Sequence, residues 1–158
     1  MKLSVIIPCY NEADHIERVL DAVRAVDLPM EIIVIDDGST DNTFSVINKI
    51  ALKDQRIILV RNETNIGRVR SLNISLEKAR GKFIAIQDAD DISLNDRLLI
   101  QYNFLEKNPE YLLTGSNIHI INETGEIISK PLRPENDNEL KFSLLFKCTF
   151  ANPSIMYR

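Results

Sequence analysis

The sequence predicts an α/β protein built on a doubly wound, mostly parallel sheet flanked by helices. Two observations carry this. Four segments, "LSVIIP", "EIIVID", "RIILV" and "KFIAI", are short, rich in β-branched residues and apolar almost throughout, as strands covered on both faces must be. Between them lie stretches whose apolar residues recur at helical spacing, so strand and helix alternate as in a parallel sheet with right-handed crossovers.

Taken in order, residues 3–8 form the first strand, stopped by Pro8. Asn11 is placed to cap a helix buried through Ile16, Val19, Leu20 and Val23, ending before Pro29. The second strand covers residues 31–36. The turn "DGSTDNT" then leads into a helix with Phe44, Ile47, Ile50 and Ala51 on one face. Residues 56–60 make the third strand. The loop "RNETNIG" follows, then a helix buried through Val69, Leu72, Leu76 and Ala79, with Gly81 as its C′ glycine. Residues 82–86 are the fourth strand. Beyond Asp91 the pattern gives a helix with Leu98, Leu99, Tyr102 and Leu105 inward, stopped before Pro109. "YLLTGSNIHII" reads as a longer strand, "NETGE" as a hairpin turn into "IIS", residues 140–146 as a short helix and "SIMY" as a last strand. The expectation is one domain over residues 1–158, incomplete at its C-terminal side.

Composition excludes several classes. The chain has 158 residues, 44% hydrophobic and 27% charged, which is ordinary globular material. A net charge of −4 leaves no basic stripe to neutralise a phosphate backbone, so no nucleic-acid partner is expected. Apolar runs such as "IIVI" fall far short of the ~20 residues of a spanning helix. "MKLSVIIPCYNE" reads as a strand rather than a signal peptide. Cys9 and Cys148 lie far apart without metal-ligand spacing and read as small hydrophobes. His15 and His119 are isolated and receive no role.

The chemistry collects at the carboxyl ends of the predicted strands, where open α/β sheets bind their ligands. Strand one delivers Pro8, Tyr10, Asn11 and Glu12; strand two, Asp36, Asp37, Gly38 and Ser39; strand three, Asn62, Asn65, Gly67 and Arg68; strand four, Asp88, Asp90 and Asp91. Taken singly, "IDDGSTDNT" is equally satisfied by a turn with a helix cap, Tyr10 by a rim aromatic, and Arg68 and Arg70 by solvated helix positions. "DADD" is different, because three carboxylates in four residues exceed what capping requires and repel one another unless a positive group intervenes. Asp88 and Asp90, one residue apart, can project to one side of a tight turn. A hard divalent cation, Mg²⁺ or Mn²⁺, takes such carboxylates and completes its shell with water and phosphate oxygens. The chain has neither G-x-x-x-x-G-K-[ST] nor G-x-G-x-x-G, so a diphosphate would be held chiefly through that metal.

These segments in this order resemble glycosyltransferase family 2, with its GT-A fold. "SVIIPCYNE", "EIIVIDDGSTDNT", "NIG" followed by "LNISLEKARGKFIAIQDADD", "RLLIQYNFLEKNP", "LLTGSN" and "NPSIMYR" carry the likeness along nearly the whole chain. The resemblance implies a single GT-A domain that binds a nucleotide-diphospho-sugar donor, UDP-sugar by preference. It puts Pro8, Tyr10 and Asp37 around the base with Glu12 and Asp36 close by, and adds Asn65, Gly67 and Arg68 to the donor site. Its D-x-D falls on Asp88-Ala89-Asp90, with Asp88 facing the ribose or metal waters, Asp90 on the metal and Asp91 as a second metal candidate. It implies inverting sugar transfer to a glycan or lipid-linked acceptor, as in cell-surface polysaccharide biosynthesis, in the cytoplasm or at the inner membrane face. The general base is expected beyond Arg158, so no catalytic residue is assigned. Leu72 stands where many relatives carry arginine, which loses a nucleotide contact or moves it to Arg68 or Arg70; Asn152 stands where histidine is frequent. A truncated or degenerate sugar-nucleotide-binding module is the alternative. A nucleotidyltransferase is disfavoured because "PCYNEADH" is neither Gly-rich nor basic.

Overall fold

A computed structural model describes residues 2–158. Its six-stranded sheet has the order β3-β2-β1-β4-β8-β5. The strands are β1 (Leu3–Cys9), β2 (Met30–Asp36), β3 (Ile57–Arg61), β4 (Phe83–Ile86), β5 (Leu113–Thr114) and β8 (Met156–Tyr157). The first four are mutually parallel, while β8 runs antiparallel to both β4 and β5. Two further strands, β6 (Ile120–Ile121) and β7 (Ile127–Ser129), form a separate antiparallel ribbon around the predicted "NETGE" turn.

Side chains of β1 alternate between two cores, as period-two geometry requires. Leu3, Val5 and Ile7 point to the larger core, with Ile32 and Val34 of β2. That face is covered by α1 (Ile16–Arg24), α2 (Thr43–Ala51) and α4 (Arg97–Lys107). Phe83 meets Tyr102 of α4 edge to face, with ring centroids 5.5 Å apart. Ile6, Ile33 and Ile86 point the other way, under Leu72, Leu76 and Ala79 of the α3 segment (Arg68–Lys78 and the residue after it). A short helix, α5 (Asp137–Leu144), and a 3₁₀ turn over Asn152–Ser154 precede β8.

Several local expectations are corrected. Pro8 lies within β1 instead of ending it. Asn11 is not a helix cap: it sits at φ 56°, and α1 begins only at Ile16. Val69 is 71% exposed, and α3 packs through Ser71 and Ser75 beside Leu72 and Leu76. Small hydroxyl residues let that helix approach the sheet, which rotates its inner face away from the apolar stripe. On α4, Leu99 is exposed while the polar Arg97 and Gln101 are buried. Gly81 does not cap α3. A Cβ there would stand 2.4 Å from the Ser4 backbone nitrogen, so glycine is needed where the chain crosses β1. The long strand expected after Tyr111 stops at Thr114, because the Ser116 backbone N–H donates to Ser154 Oγ (3.2 Å) and leaves the ladder.

Candidate functional site

The strand order reverses between β1 and β4, since the chain proceeds from β1 to β2 and β3 on one side and returns to β4 on the other. Open α/β sheets bind ligands at such a switch point. A cavity of about 330 Å³ opens there. Pro8, Cys9, Tyr10 and Glu12 line it from β1, Asp37 from β2, Asn65, Arg68 and Ser71 from the β3–α3 connection and α3, and Asp88, Ala89 and Asp90 from the end of β4.

The loop after β1 is stitched to the turn after β2. Ser39 Oγ accepts the Asn11 backbone N–H (2.9 Å), Thr43 Oγ1 accepts that of Glu12 (2.8 Å), and Asn11 Oδ1 accepts that of Thr40 (2.9 Å). The left-handed Asn11 makes this last bond accessible. "DGSTDNT" is therefore the seam that fixes Pro8, Tyr10 and Glu12 in place. Gly38, at φ 73°, lets the β3 loop close over the seam, since a Cβ there would stand 2.5 Å from the Thr64 carbonyl carbon.

Asp37 is buried at the cavity wall. Its Oδ1 accepts from Asn62 Nδ2 (2.8 Å) and the Ile66 N–H (3.0 Å), and its Oδ2 from the Gly67 N–H (2.9 Å). Burial pushes its carboxyl up, but the bonds from Ile66, Asn62, Ser71 and Gly67 outweigh it and hold the group below the ordinary aspartate range. Gly67 itself lies outside the lining and acts through its N–H.

Asp36 lies next to Asp37 but outside the cavity lining. Neighbouring residues at a strand end point to opposite faces, and with Asp37 in the cavity Asp36 is buried on the other side. Its Oδ1 accepts the Ser39 N–H (3.0 Å), and its Oδ2 lies 3.4 Å from Arg61 Nε, whose guanidinium stacks on Phe44. Asp36 shapes the turn and does not face the cavity.

The acidic loop divides as well. Asp88 and Asp90 line the cavity, whereas Asp91 lines a small apolar cleft between α1 and the start of α4, against Arg18, Val19 and Ile92. Asp91 does not line the cavity with the other two. Desolvation, then the charges of Asp88 and Asp90, push its carboxyl upward against the pull of Arg97 and Arg68. The positive group beside Asp88 is Arg68, 2.5 Å from Oδ1. The Asp90 carboxylate has no hydrogen-bond or ion-pair partner among the described residues. Nor do any three His, Cys, Asp or Glu side chains among them form a ready metal cage. Two hard oxygen donors on one wall, Asp90 and the second oxygen of Asp88, fit a divalent cation that draws its remaining ligands from phosphate and water.

Ser71, which joins Asn62 Nδ2 to α3 at 2.9 Å, and Cys9 are lining residues that sequence reasoning missed. A helical serine carries no pattern signal. Burial first, then the charges of Asp36 and Glu12, push the Cys9 thiol far above its ordinary range, so it stays protonated. Glu12 is engaged by His15 Nδ1 at 3.0 Å, which gives that histidine a partner.

The sequence profile of glycosyl transferase family 2 matches residues 4–156. The chain belongs to this family. It is 34% identical to an uncharacterised glycosyltransferase of Methanocaldococcus jannaschii, over 99% of this chain and 55% of that protein. A Bacillus subtilis protein provisionally named as a teichuronic acid biosynthesis glycosyltransferase is 36% identical over 73% of the chain and 47% of its own length. This family 2 chain thus spans about half the length of these curated relatives. Its GT-A fold is that of Staphylococcus aureus TarS in complex with UDP-GlcNAc (TM-score 0.76, 24% identity, 100% of this chain and 45% of that one). A Pyrobaculum calidifontis mannosyltransferase in complex with GDP-Man and Mn²⁺ shares it (TM-score 0.72, 23% identity, 99% and 44%).

Proposed function

We propose that residues 1–158 form the donor-binding part of a metal-dependent, inverting glycosyltransferase that uses a nucleotide-diphospho-sugar, a UDP-sugar by preference. One observation carries the reading: a single cavity at the β1/β4 switch point holds the Asp37 carboxylate on one wall and Asp88 with Asp90 on another. A base that presents an imide N–H would donate to the Asp37 carboxylate, and the half-exposed ring of Tyr10 would cover the base face. Arg68, at the start of α3, lies within the same cavity and suits the diphosphate. Asp90, with Asp88, would hold Mn²⁺ or Mg²⁺, which when bound supplies Lewis-acid neutralisation of a departing nucleoside diphosphate. The neighbours crystallised with UDP-GlcNAc or with GDP-Man and Mn²⁺ support this reading of the fold.

Inverting transfer also requires a carboxylate to take the acceptor hydroxyl proton. Within the cavity Glu12 is engaged by His15, Asp37 by its amide and backbone donors and Asp88 by Arg68, and Asp90 is assigned to the metal. That engagement favours a second reading for the chain by itself, a sugar-nucleotide-binding module without turnover. The acceptor, a glycan or lipid-linked sugar of cell-surface polysaccharide synthesis, would then be read by sequence outside these residues. A cytoplasmic position, with peripheral contact at the inner membrane face, agrees with this chemistry. Among the described residues no helix is long and apolar enough to cross a membrane.

Calorimetric titration with UDP, in EDTA and in Mn²⁺, tests the proposal. Metal should tighten binding, and Asp90→Ala should remove that gain. Equal affinity in both buffers, or a gain that survives Asp90→Ala, would eliminate the metal assignment. No UDP binding at all would eliminate the donor site.

A further inference from the structure

The acidic loop is built around one buried amide. Gln87, immediately after β4, is 1% exposed. Its Nε2 donates to the backbone carbonyls of Asp88 and Asp91, both at 2.9 Å. Its Oε1 accepts from Ser93 Oγ at 2.5 Å and from an Arg97 terminal nitrogen at 3.1 Å. Two donors and two acceptor positions are the whole capacity of a carboxamide, and all four are used. The opposite orientation of the amide would set its NH₂ against the guanidinium and its oxygen against two carbonyls, so the network fixes which way it faces. The Asp91 N–H also closes onto the Asp88 carbonyl at 3.3 Å, so the turn that carries Asp88 and Asp90 wraps one side chain.

Arg97 anchors this arrangement from below. It is 9% exposed and among the described residues meets no carboxylate in an ion pair; its guanidinium donates to the Ile86 and Pro153 carbonyls (3.3 and 3.0 Å) as well as to Gln87. Burial pushes the Arg97 guanidinium down to about 10, with Asp91 pulling the other way. A buried cation and a buried amide are costly unless every bond is made, and an apolar residue after β4 would pack against the sheet without that demand. Gln87 makes every bond open to it, while Arg97 leaves its Nε without a partner among the described residues; it is the amide's two donated bonds that run to the one loop presenting two carboxylates to the cavity.

We propose that Gln87, held by Arg97 and Ser93, is a positioning residue that sets the relative placement of the Asp88 and Asp90 carboxylates for a divalent cation. The proposal rests on the donor-site reading above. Groups that orient metal-binding side chains from behind cost about 10- to 100-fold in metal affinity when removed.

The test uses the full chain with Gln87→Leu and Gln87→Glu, checked for folding by circular dichroism. UDP is titrated with and without Mn²⁺, and amide hydrogen exchange is followed across residues 88–93. Both variants should keep metal-free UDP affinity within about twofold and lose about tenfold or more of the Mn²⁺-dependent gain. The Asp91 amide should exchange faster. A gain retained in folded variants, with Asp91 exchange unchanged, overturns the proposal. Should wild type show no Mn²⁺-dependent gain, the metal part of the proposed function fails, and the exchange arm still decides whether Gln87 orders the loop. Should both variants unfold, Ser93→Ala removes a single bond to Oε1. A reduced Mn²⁺ gain with unchanged metal-free UDP affinity then supports the proposal, and an unchanged gain overturns it.

Discussion

Arg68 donates from a terminal nitrogen to Asp88 Oδ1 at 2.5 Å, across the mouth of the cavity from α3 to the end of β4. The guanidinium therefore stands where the proposed cation would place its charge. Arg68→Gln should tighten Mn²⁺ in the absence of nucleotide and weaken UDP in EDTA. The pair is partly exposed, at 38% and 25%, so the effect on Mn²⁺ should be modest, roughly threefold to fivefold. Electron paramagnetic resonance titration of free Mn²⁺ measures it, and unchanged or weaker Mn²⁺ affinity would contradict the competition.

Asp37→Asn should lose UDP affinity by about tenfold or more, because the amide NH₂, in whichever orientation, faces the N–H of either Ile66 or Gly67 and the charged acceptor for a base is lost. The folded-state carboxyl is held low, so its contribution to stability is present above the unfolded carboxylate range and is lost as pH falls through the lower folded value. Urea melts from pH 6 to pH 2.5 (~0.5 unit steps) should show a shallower acid decline for Asp37→Asn than for wild type. Parallel declines would remove Asp37 from the acid response.

Gly38→Ala should destabilise the fold by roughly 2 kcal/mol or more, combining a left-handed backbone with a close approach to Thr64. Because the β3 loop would be pushed off the seam, UDP binding should weaken even in the folded fraction. Thermal melts with and without UDP separate the two effects; a variant with wild-type melting temperature would show that the loop yields freely.

Glu31→Gln probes the opposite edge of the sheet. Glu31 is buried, accepts from Ser4 Oγ (2.7 Å) and from the Arg80 backbone N–H (2.6 Å), and pairs with the Arg80 guanidinium at 2.9 Å. Loss of the charge-assisted bonds should cost about 1–3 kcal/mol in urea titrations while UDP affinity stays unchanged. A matching fall in UDP affinity would mean that the two edges are coupled.

The parallel strands and the edge where polar residues gather were legible because burial on both faces leaves an uninterrupted apolar run, and loops at the carboxyl ends follow from the topology. Which member of an acidic pair faces the cavity was not. Asp36 and Asp37 differ only in strand parity, and parity at a strand end depends on where pairing stops. Asp90 and Asp91 differ by the shape of a turn that a neighbouring glutamine imposes through bonds to the backbone, which composition does not register. Val69 misled for another reason: Ser71 and Ser75 took the inner face of α3, and small polar residues carry no weight in an apolar stripe.

Strand β8 enters the sheet between β4 and β5 although it comes from residues 156–157. During synthesis, Ile84 and Ala85 must wait for it with one side of their backbone unpaired. Open strand edges recruit other chains, so the interval before Met156 leaves the ribosome is when a nascent polypeptide of this design is most exposed to misassembly and most in need of a chaperone.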